Sequence, residues 1–156
     1  MIVRTEAIPM EQLAQLLDVQ LEQGEAPLRV TGTSMYPTFR NGVDTVFLRK
    51  PEGALRKGDV LLYRRENGQY VLHRIVRLQG QTLILSGDNQ HEPEPLKPSQ
   101  VIARVERFRR GKREYTTTHL GYRAWVWLWV WLFPVRRPLL QVRNRIWKAL
   151  RTPKKK

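Results

Sequence analysis

The chain has 156 residues, a length that suits one domain of ordinary size with an appendage. It contains no cysteine, which excludes disulfide bonds, cysteine-ligated metals and a thiol nucleophile. Its three histidines, His73, His91 and His119, do not form an H-E-x-x-H or comparable spacing. We therefore expect neither a metal site nor another cofactor.

The formal net charge of +14 is confined to one end of the chain. Residues 1–103 hold 12 Lys/Arg and 12 Asp/Glu, whereas residues 104–156 hold 16 Lys/Arg and 2 acids together with all five tryptophans. The excess charge therefore describes the end of the chain and not the domain before it. The sequence predicts three parts: an N-terminal amphipathic helix within residues 1–26, a β-domain at 27–118, and a basic, Trp-rich tail at 119–156.

The N-terminus has no secretory signal pattern, because Arg4 and Glu6 interrupt the first apolar residues. Residues 9–23 predict a helix with Pro9 in its first turn. The apolar stripe of this helix consists of Leu13, Leu16, Leu17 and Leu21. We expect the stripe to pack on the domain.

Short segments rich in Val, Leu, Ile and Tyr follow, separated by turn dipeptides such as Asn67-Gly68 and Gln79-Gly80. The predicted strands are 28–32, 45–49, 60–64, 70–78, 81–85 and 102–109, with 113–117 as a further candidate. Residues 91–99 contain three prolines and are predicted to be an irregular loop. Many short strands joined by tight turns indicate a mostly β fold, either a small barrel or a two-sheet domain.

The tail divides at Pro134 and Pro138. Residues 119–133 fit a short helix or, with tryptophan at every second position, a strand; we favour a helix because so apolar an edge strand would promote aggregation. Residues 138–151 predict an amphipathic helix that begins at Pro138. Its apolar side comprises Leu139, Val142, Ile146 and Leu150, and its basic side comprises Arg143, Arg145, Lys148 and Arg151. The longest apolar run, 124–133, is 10 residues, whereas a spanning helix needs about 20.

Two residues are candidates for nucleophilic catalysis. Ser34 lies in a G-x-S-x-x-P turn, where Gly32 would let a substrate backbone approach and Pro37 would fix the turn. His73 lies inside a predicted strand between apolar neighbours. A serine hydroxyl needs a base to take its proton, and a neutral imidazole can act as that base near pH 7. From the residues alone, a turn-forming serine and a structural histidine remain open alternatives.

Four segments stand in a particular order: T-G-T-S-M-Y-P at 31–37, K-G-D-V-L-L-Y at 57–63, H-R-I-V at 73–76 and S-G-D-N at 86–89. This order resembles the type I signal peptidase family and its relatives, the self-cleaving repressors of the DNA-damage response. The resemblance covers about residues 28–105 and implies a mostly β core with Ser34 as nucleophile. It places His73 where most bacterial members have a lysine base, so the chain is similar to the histidine branch. It also implies that Asp88 orients His73 and stabilises its charged form.

Signal peptidases usually have a serine two positions before the nucleophile, where its hydroxyl helps bind the oxyanion. Here that position is Gly32, as in the repressor relatives. We therefore expect backbone N–H groups near Ser34 to hold the oxyanion. The residues assigned to oxyanion and substrate binding are Gly32, Thr33, Met35 and Pro37.

The sequence thus predicts a serine endopeptidase that removes an N-terminal signal or leader segment from a precursor protein or peptide. Bacterial signal peptidases carry membrane helices before the catalytic domain, and this chain has an amphipathic helix there instead. The alternative is a catalytically silent relative that serves as a membrane-bound binding module.

The tail predicts a partner of its own. Tryptophan prefers the membrane interface and basic residues are attracted to anionic lipid, so residues 119–156 are expected to associate with an anionic membrane surface in plane. With no export signal, we expect this at the cytoplasmic face. Two alternatives are packing of 124–133 on the domain and binding of single-stranded nucleic acid. The clustering of tryptophans in one apolar block disfavours nucleic acid.

Overall fold

The computed structural model describes residues 10–151, apart from the side chains of residues 10–14, 137, 139, 144 and 147–151. In this range, helices flank a set of strands at both ends of the chain. The helices are α1 (Met10–Glu22), α2 (Leu120–Trp131) and α3 (Arg136–Arg151), with short 3-10 turns at Pro98–Gln100 and Phe133–Val135. The strands are β1 (Ala26–Arg29), β2 (Asp44–Arg49), β3 (Val60–Arg64), β4 (Tyr70–Gln79), β5 (Thr82–Ser86), β6 (Glu94–Leu96), β7 (Val101–Arg110) and β8 (Arg113–Thr116).

The strands form one eight-stranded antiparallel sheet in the order β1-β2-β7-β3-β4-β5-β6, with β8 paired to β7. The prediction of a mostly β fold with an N-terminal helix and a helical tail is confirmed. Alternate side chains of a strand point to opposite faces. In the central strand β3, Leu62 therefore joins one apolar cluster while Leu61 and Tyr63 join another.

Helix α1 packs on the sheet through one narrow side. Leu17 and Leu21, four residues apart, are buried in the cluster that contains Val46 and Phe108. Leu16 was expected in the same stripe but is 52% exposed, because successive helical residues point about 100° apart. Pro9 and the side chain of Leu13 lie outside the described residues.

Two segments differ from the sequence-based expectation. Residues 94–96, predicted to be part of a loop, form the edge strand β6, in which Glu94 pairs with Leu85. An edge strand tolerates Pro95 because one side of its backbone needs no partner. Strand β1 ends at Arg29 and not at residue 32. Gly32 instead adopts a φ of +80° and donates its N–H to Asn41 Oδ1 at 3.1 Å, which turns the chain out of the sheet.

The tail folds as two helices joined by the turn at Phe133–Val135. The helical prediction for 119–133 agrees with α2. Helix α3 begins at Arg136, two residues before the predicted start, and Pro138 lies in its first turn, where no backbone N–H is needed for the helical ladder. Among residues 10–151, none of the helices combines the length and the apolarity needed to cross a bilayer.

Candidate active site

Ser34 lies in the turn between β1 and β2, and one side of this turn is anchored in the core. Met35 and Phe39 are buried there, and the Phe39 N–H donates to the Met35 carbonyl at 2.9 Å. Gly32 and Thr33 are exposed, and Ser34 is half-buried. The buried Met35 side chain therefore anchors the turn in the core.

His73 is fixed by its place in β4, where it pairs with Leu61 of β3. The alternation of side chains puts His73 on the same face as Ile75 and Tyr63, and puts Arg74 on the opposite face. The imidazole is only 3% exposed. Its orientation is thus set by the strand and by its buried neighbours.

Gly87, just after β5, brings Ser34 and His73 together. The neighbouring Asn89 N–H donates to the Ser34 carbonyl oxygen at 2.7 Å. A Cβ placed on Gly87 would lie 2.7 Å from that carbonyl oxygen and 3.1 Å from His73 Nε2. Only glycine fits there, so the loop at Gly87 lies against both the Ser34 backbone and the His73 ring, although 39 residues separate Ser34 from His73 in the chain.

Within the described residues, no hydrogen bond joins Ser34 Oγ to His73 Nε2. Catalytic hydrogen bonds of this kind are often long in a free enzyme and tighten when substrate binds. In the free protein, the loop at 87–89 lies against both residues: Asn89 bonds to the Ser34 carbonyl, and Gly87 lies next to His73 Nε2.

The other ring nitrogen of His73 contacts a carboxylate that sequence analysis did not identify. Nδ1 lies 3.1 Å from Glu94 Oε1 and 3.1 Å from the Tyr63 hydroxyl oxygen. The Tyr63 hydroxyl itself donates a short hydrogen bond to Glu94 Oε1. Arg65 donates to both Glu94 oxygens, at 2.9 and 2.8 Å. Glu94 is therefore a well-supported acceptor for the Nδ1 proton.

The protonation states follow from burial and from these contacts. Burial lowers the pKa of His73, and the nearby negative charges of Glu94 and Asp88 oppose this only in part. Burial acts against ionisation of Glu94, but hydrogen bonds from Arg65 and Tyr63 bring its pKa below the ordinary value. Burial and the Glu94 charge raise the pKa of Tyr63. Near neutral pH, Glu94 is thus a carboxylate and His73 is neutral, with its Nδ1 proton directed to Glu94.

Asp88, predicted to orient His73, has a different partner in the structure. Its fully buried carboxylate accepts hydrogen bonds from Arg74 Nε at 2.8 Å and Nη2 at 2.7 Å. Arg74 lies on the opposite face of β4 from His73, so the carboxylate of Asp88 does not reach Nδ1. The carboxylate found there is that of Glu94. Sequence reasoning missed Glu94 because prolines flank it, and only its pairing with β5 identifies that segment as a strand.

The turn also offers backbone donors. The N–H groups of Thr33, Ser34 and Met35 have no acceptor among residues 10–151. Gly32 has open space around its α-carbon, since an added Cβ would meet no atom within 4 Å. Pro37, half-buried after a cis peptide bond, closes the turn. The open side of the turn thus carries unpaired donors beside Ser34.

Helix α3 contacts the same region from the tail. Arg136 is 1% exposed, and its Nη1 donates to the Gly87 carbonyl at 3.3 Å. Burial lowers the pKa of Arg136 to about 10. Arg143 Nη2 donates to Asn89 Oδ1 at 2.6 Å. Two arginines of α3 therefore bond to the 87–89 loop, one to its backbone and one to the Asn89 side chain.

Helix α2 packs on the domain through its inner side. Trp125 Nε1 donates to Thr38 Oγ1 at 3.0 Å, at the end of the Ser34 turn. Val126 fills the space beside Gly58, where a Cβ would lie 2.8 Å from the Val126 Cγ1 atom. The inner side of α2 thus packs on the domain, which was one of the alternatives drawn from the sequence.

Comparisons with known proteins place the chain in a family. A family model described as Peptidase S24-like matches residues 5–106, more than half of the chain. The matched range includes Ser34, His73 and Glu94 and ends before the tail. No curated protein matches the chain. Within the described residues, no group of three or more His, Asp or Glu side chains could hold a metal ion. On the extent of the family match, the chain belongs to the Peptidase S24-like family.

Proposed function

We propose that the chain is a serine endopeptidase in which Ser34 is the nucleophile, His73 the general base and Glu94 the group that orients the base. Membership of a Peptidase S24-like family supports serine peptidase chemistry in general. The observation that carries the specific proposal is the position of Gly87, where an added Cβ would lie 2.7 Å from the Ser34 carbonyl oxygen and 3.1 Å from His73 Nε2.

In the proposed reaction, Ser34 Oγ attacks the scissile carbonyl while its proton passes to His73 Nε2. The imidazolium is stabilised by the Glu94 carboxylate at Nδ1. The tetrahedral oxyanion accepts hydrogen bonds from the unpaired N–H groups of the 33–35 turn. His73 then gives the proton to the leaving amine. Water attacks the acyl-enzyme while its proton passes to His73, which returns a proton to Ser34 Oγ as the ester bond breaks and the acid product leaves.

In this proposal Asp88 acts mainly through Arg74 and not by direct contact with His73. Its negative charge raises the proton affinity of His73 from a distance, while its hydrogen bonds go to Arg74. We therefore assign Asp88 mainly to holding the 86–89 backbone against β4. Glu94 takes the role that the resemblance to signal peptidases had assigned to Asp88.

The proposed substrate is an extended N-terminal signal or leader segment of a precursor. Strand β1 stands at one edge of the sheet, with β2 on one side only. An edge strand can pair with an added peptide through its backbone. Since β1 leads directly into the Ser34 turn, a peptide paired along it would run toward the nucleophile.

The test compares protein N-termini in cells that produce the natural chain or its Ser34→Ala form. Because alanine has no hydroxyl to attack the carbonyl, every new N-terminus should disappear, while the unfolding midpoint of the variant stays unchanged. Ser99→Ala, at an exposed position distant in sequence from the turn, is the matched control and should cleave normally.

The identity of the new termini decides between forms of the proposal. Termini on other proteins, near their original starts, support leader removal. A single terminus within this chain would indicate self-cleavage. The same termini at the same abundance with Ser34→Ala would refute the peptidase assignment and favour a catalytically silent binding module.

A further inference from the structure

The two tail helices carry most of the exposed apolar surface of the described chain. Large hydrophobic side chains that are at least half exposed concentrate between residues 120 and 146. They are Leu120 at 79%, Trp127 at 69%, Trp131 at 65%, Val135 at 50%, Val142 at 54% and Ile146 at 54%. We refer to these six residues as the outer surface. Exposed large apolar side chains concentrated in one segment point to an interaction site.

The outer surface of α2 is separate from the side that packs on the domain. Trp127 and Trp131 are one helical turn apart, and their rings stack with centroids 6.4 Å apart. Trp125 and Trp129 form a second stacked pair, with centroids 5.0 Å apart, on the half-buried side. The helix therefore divides its four tryptophans evenly between the domain and its outer side.

Among the α3 side chains that the structure describes, two cations face the domain and two apolar side chains face outward, the opposite of an ordinary surface helix. The cations Arg136 and Arg143 face the domain, and Leu140 is buried with them. Val142 and Ile146 are exposed instead, as is Arg145, which precedes Ile146. A helix that stays in water would place its valine and isoleucine inward. This arrangement favours an apolar environment on the outer side.

The charge of the tail indicates what that environment is. Residues 119–156 hold ten Lys/Arg and no Asp or Glu. A second copy of the chain would bring two such tails together, which like charges oppose. An anionic bilayer satisfies both features, since tryptophan rings occupy its interface and basic residues are attracted to its headgroups.

We propose that α2 and α3 lie parallel to an anionic membrane and contact it through the outer surface. Their inner sides stay packed on the domain at Thr38 and Gly87. Neither helix needs to cross the bilayer for this. The proposal goes beyond the proposed protease and does not depend on it, because none of the outer-surface residues belongs to the catalytic group.

The test measures co-sedimentation of the full chain with phosphatidylcholine vesicles, with and without phosphatidylglycerol. We expect binding to the vesicles that contain phosphatidylglycerol and a loss of that binding as sodium chloride is raised. Tryptophan emission should shift to shorter wavelength on binding. The Ser34→Ala form should bind equally, so a failed protease assignment would leave this result unaffected.

Two double variants test the outer surface, and a third double variant, in α1, is the control. Trp127→Ser with Trp131→Ser should weaken vesicle binding by about tenfold or more, since two interfacial rings are lost. Val142→Ser with Ile146→Ser should weaken it as well. Leu16→Ser with Val19→Ser is the matched control, since these α1 residues are 52% and 53% exposed, and it should bind like the natural chain.

Three results would overturn the proposal. One is unchanged vesicle binding by both tail variants. Another is an absence of vesicle binding together with self-association that the tail variants abolish, which would make the outer surface an interface between copies. The last is salt-sensitive binding to single-stranded nucleic acid in place of vesicles.

Discussion

The two ring nitrogens of His73 have different surroundings, and this difference gives the residue a direction. Nδ1 is held by Glu94 and Tyr63 in the buried part of the sheet. Nε2 lies beside Gly87 and has no hydrogen-bond partner within the described residues. A proton fixed on Nδ1 leaves the lone pair of Nε2 free beside Gly87, which also lies next to the Ser34 carbonyl. This is the tautomer that the proposed proton transfer from Ser34 requires.

The pH profile of cleavage tests this arrangement. Because burial lowers the pKa of His73 from 6.5, the base form persists to lower pH, and the midpoint of the acid limb of kcat/KM should lie below that value. Glu94→Gln removes a charge that raises the same pKa. The variant should shift the acid limb further down in pH and lower kcat by about 10²-fold or more.

The neighbouring Glu92→Gln is the control for Glu94→Gln, because the Glu92 side chain is 90% exposed. It should leave both the limb and kcat unchanged. An acid limb that is identical in the natural chain and in Glu94→Gln would show that Glu94 does not act on His73.

Ser34 and His73 were proposed from the sequence because the motifs around them are local and ordered, and their roles stay predictions. Glu94 could not be proposed in this way, since its role depends on the return of β6 beside β5, and Pro93 and Pro95 hide that strand. Asp88 was assigned from the resemblance alone. Whether its carboxylate points to His73 or to Arg74 depends on which face of β4 it meets, and no local pattern encodes that.

Among the elements, the segment 86–89 has the most connections to the site. Its backbone bonds to the Ser34 carbonyl, and its Asp88 carboxylate bonds to Arg74 of β4. Arg74 also donates to the Gly58 carbonyl at 2.8 Å. The ion pair therefore joins two loops to one strand, and both of its side chains are fully buried.

Breaking that ion pair should affect stability first. Asp88→Asn leaves the buried Arg74 cation without its counter-charge, which should reduce the free energy of unfolding by about 3–5 kcal/mol. Urea unfolding measures this. Asp18→Asn, on the exposed side of α1, should change stability by less than about 0.5 kcal/mol. A fully stable Asp88→Asn form that lacks only activity would instead support a direct catalytic role for Asp88.

Element type was predicted well where the pattern is long. Tryptophan at every second position between 125 and 131 suits a strand, yet the segment forms α2, because the two stacked pairs at spacing four place apolar rings on both sides of one helix. The end of β1 was predicted three residues too late, at Gly32, since this glycine looks like any strand-to-turn residue. Its positive φ becomes clear only once the chain has left the sheet.

At the scale of the whole molecule, the tail lies between the domain and the outer surface. Trp125 and Trp129 face one way, and Trp127 and Trp131 face the other. The neutral β-domain and the cationic helices thus meet through a few specific contacts at Thr38, Gly87 and Asn89. The composition of the chain indicated the two parts, but the side of α2 that packs inward depends on the shape of the surface beneath it.

Two tryptophans of one helix provide a matched test of this packing. Trp125→Ala removes the hydrogen bond to Thr38 and the stack with Trp129, and should lower the free energy of unfolding by about 2–3 kcal/mol. Trp127→Ala removes a ring that is 69% exposed and should change it by less than about 0.5 kcal/mol. Urea unfolding without lipid measures both. Equal effects would contradict the orientation of α2.

The contact of α3 with the catalytic segment links two kinds of occupancy. Arg136 and Arg143 of α3 donate to the Gly87 carbonyl and to Asn89 Oδ1, and the other side of this helix is proposed to meet lipid. If lipid changes the affinity of the catalytic turns for a substrate by some factor, thermodynamic reciprocity requires that a bound substrate change the affinity for lipid by the same factor. Under the two proposals, a precursor bound beside Ser34 would lengthen or shorten the stay of the chain on the bilayer, and the bilayer would favour some precursors over others.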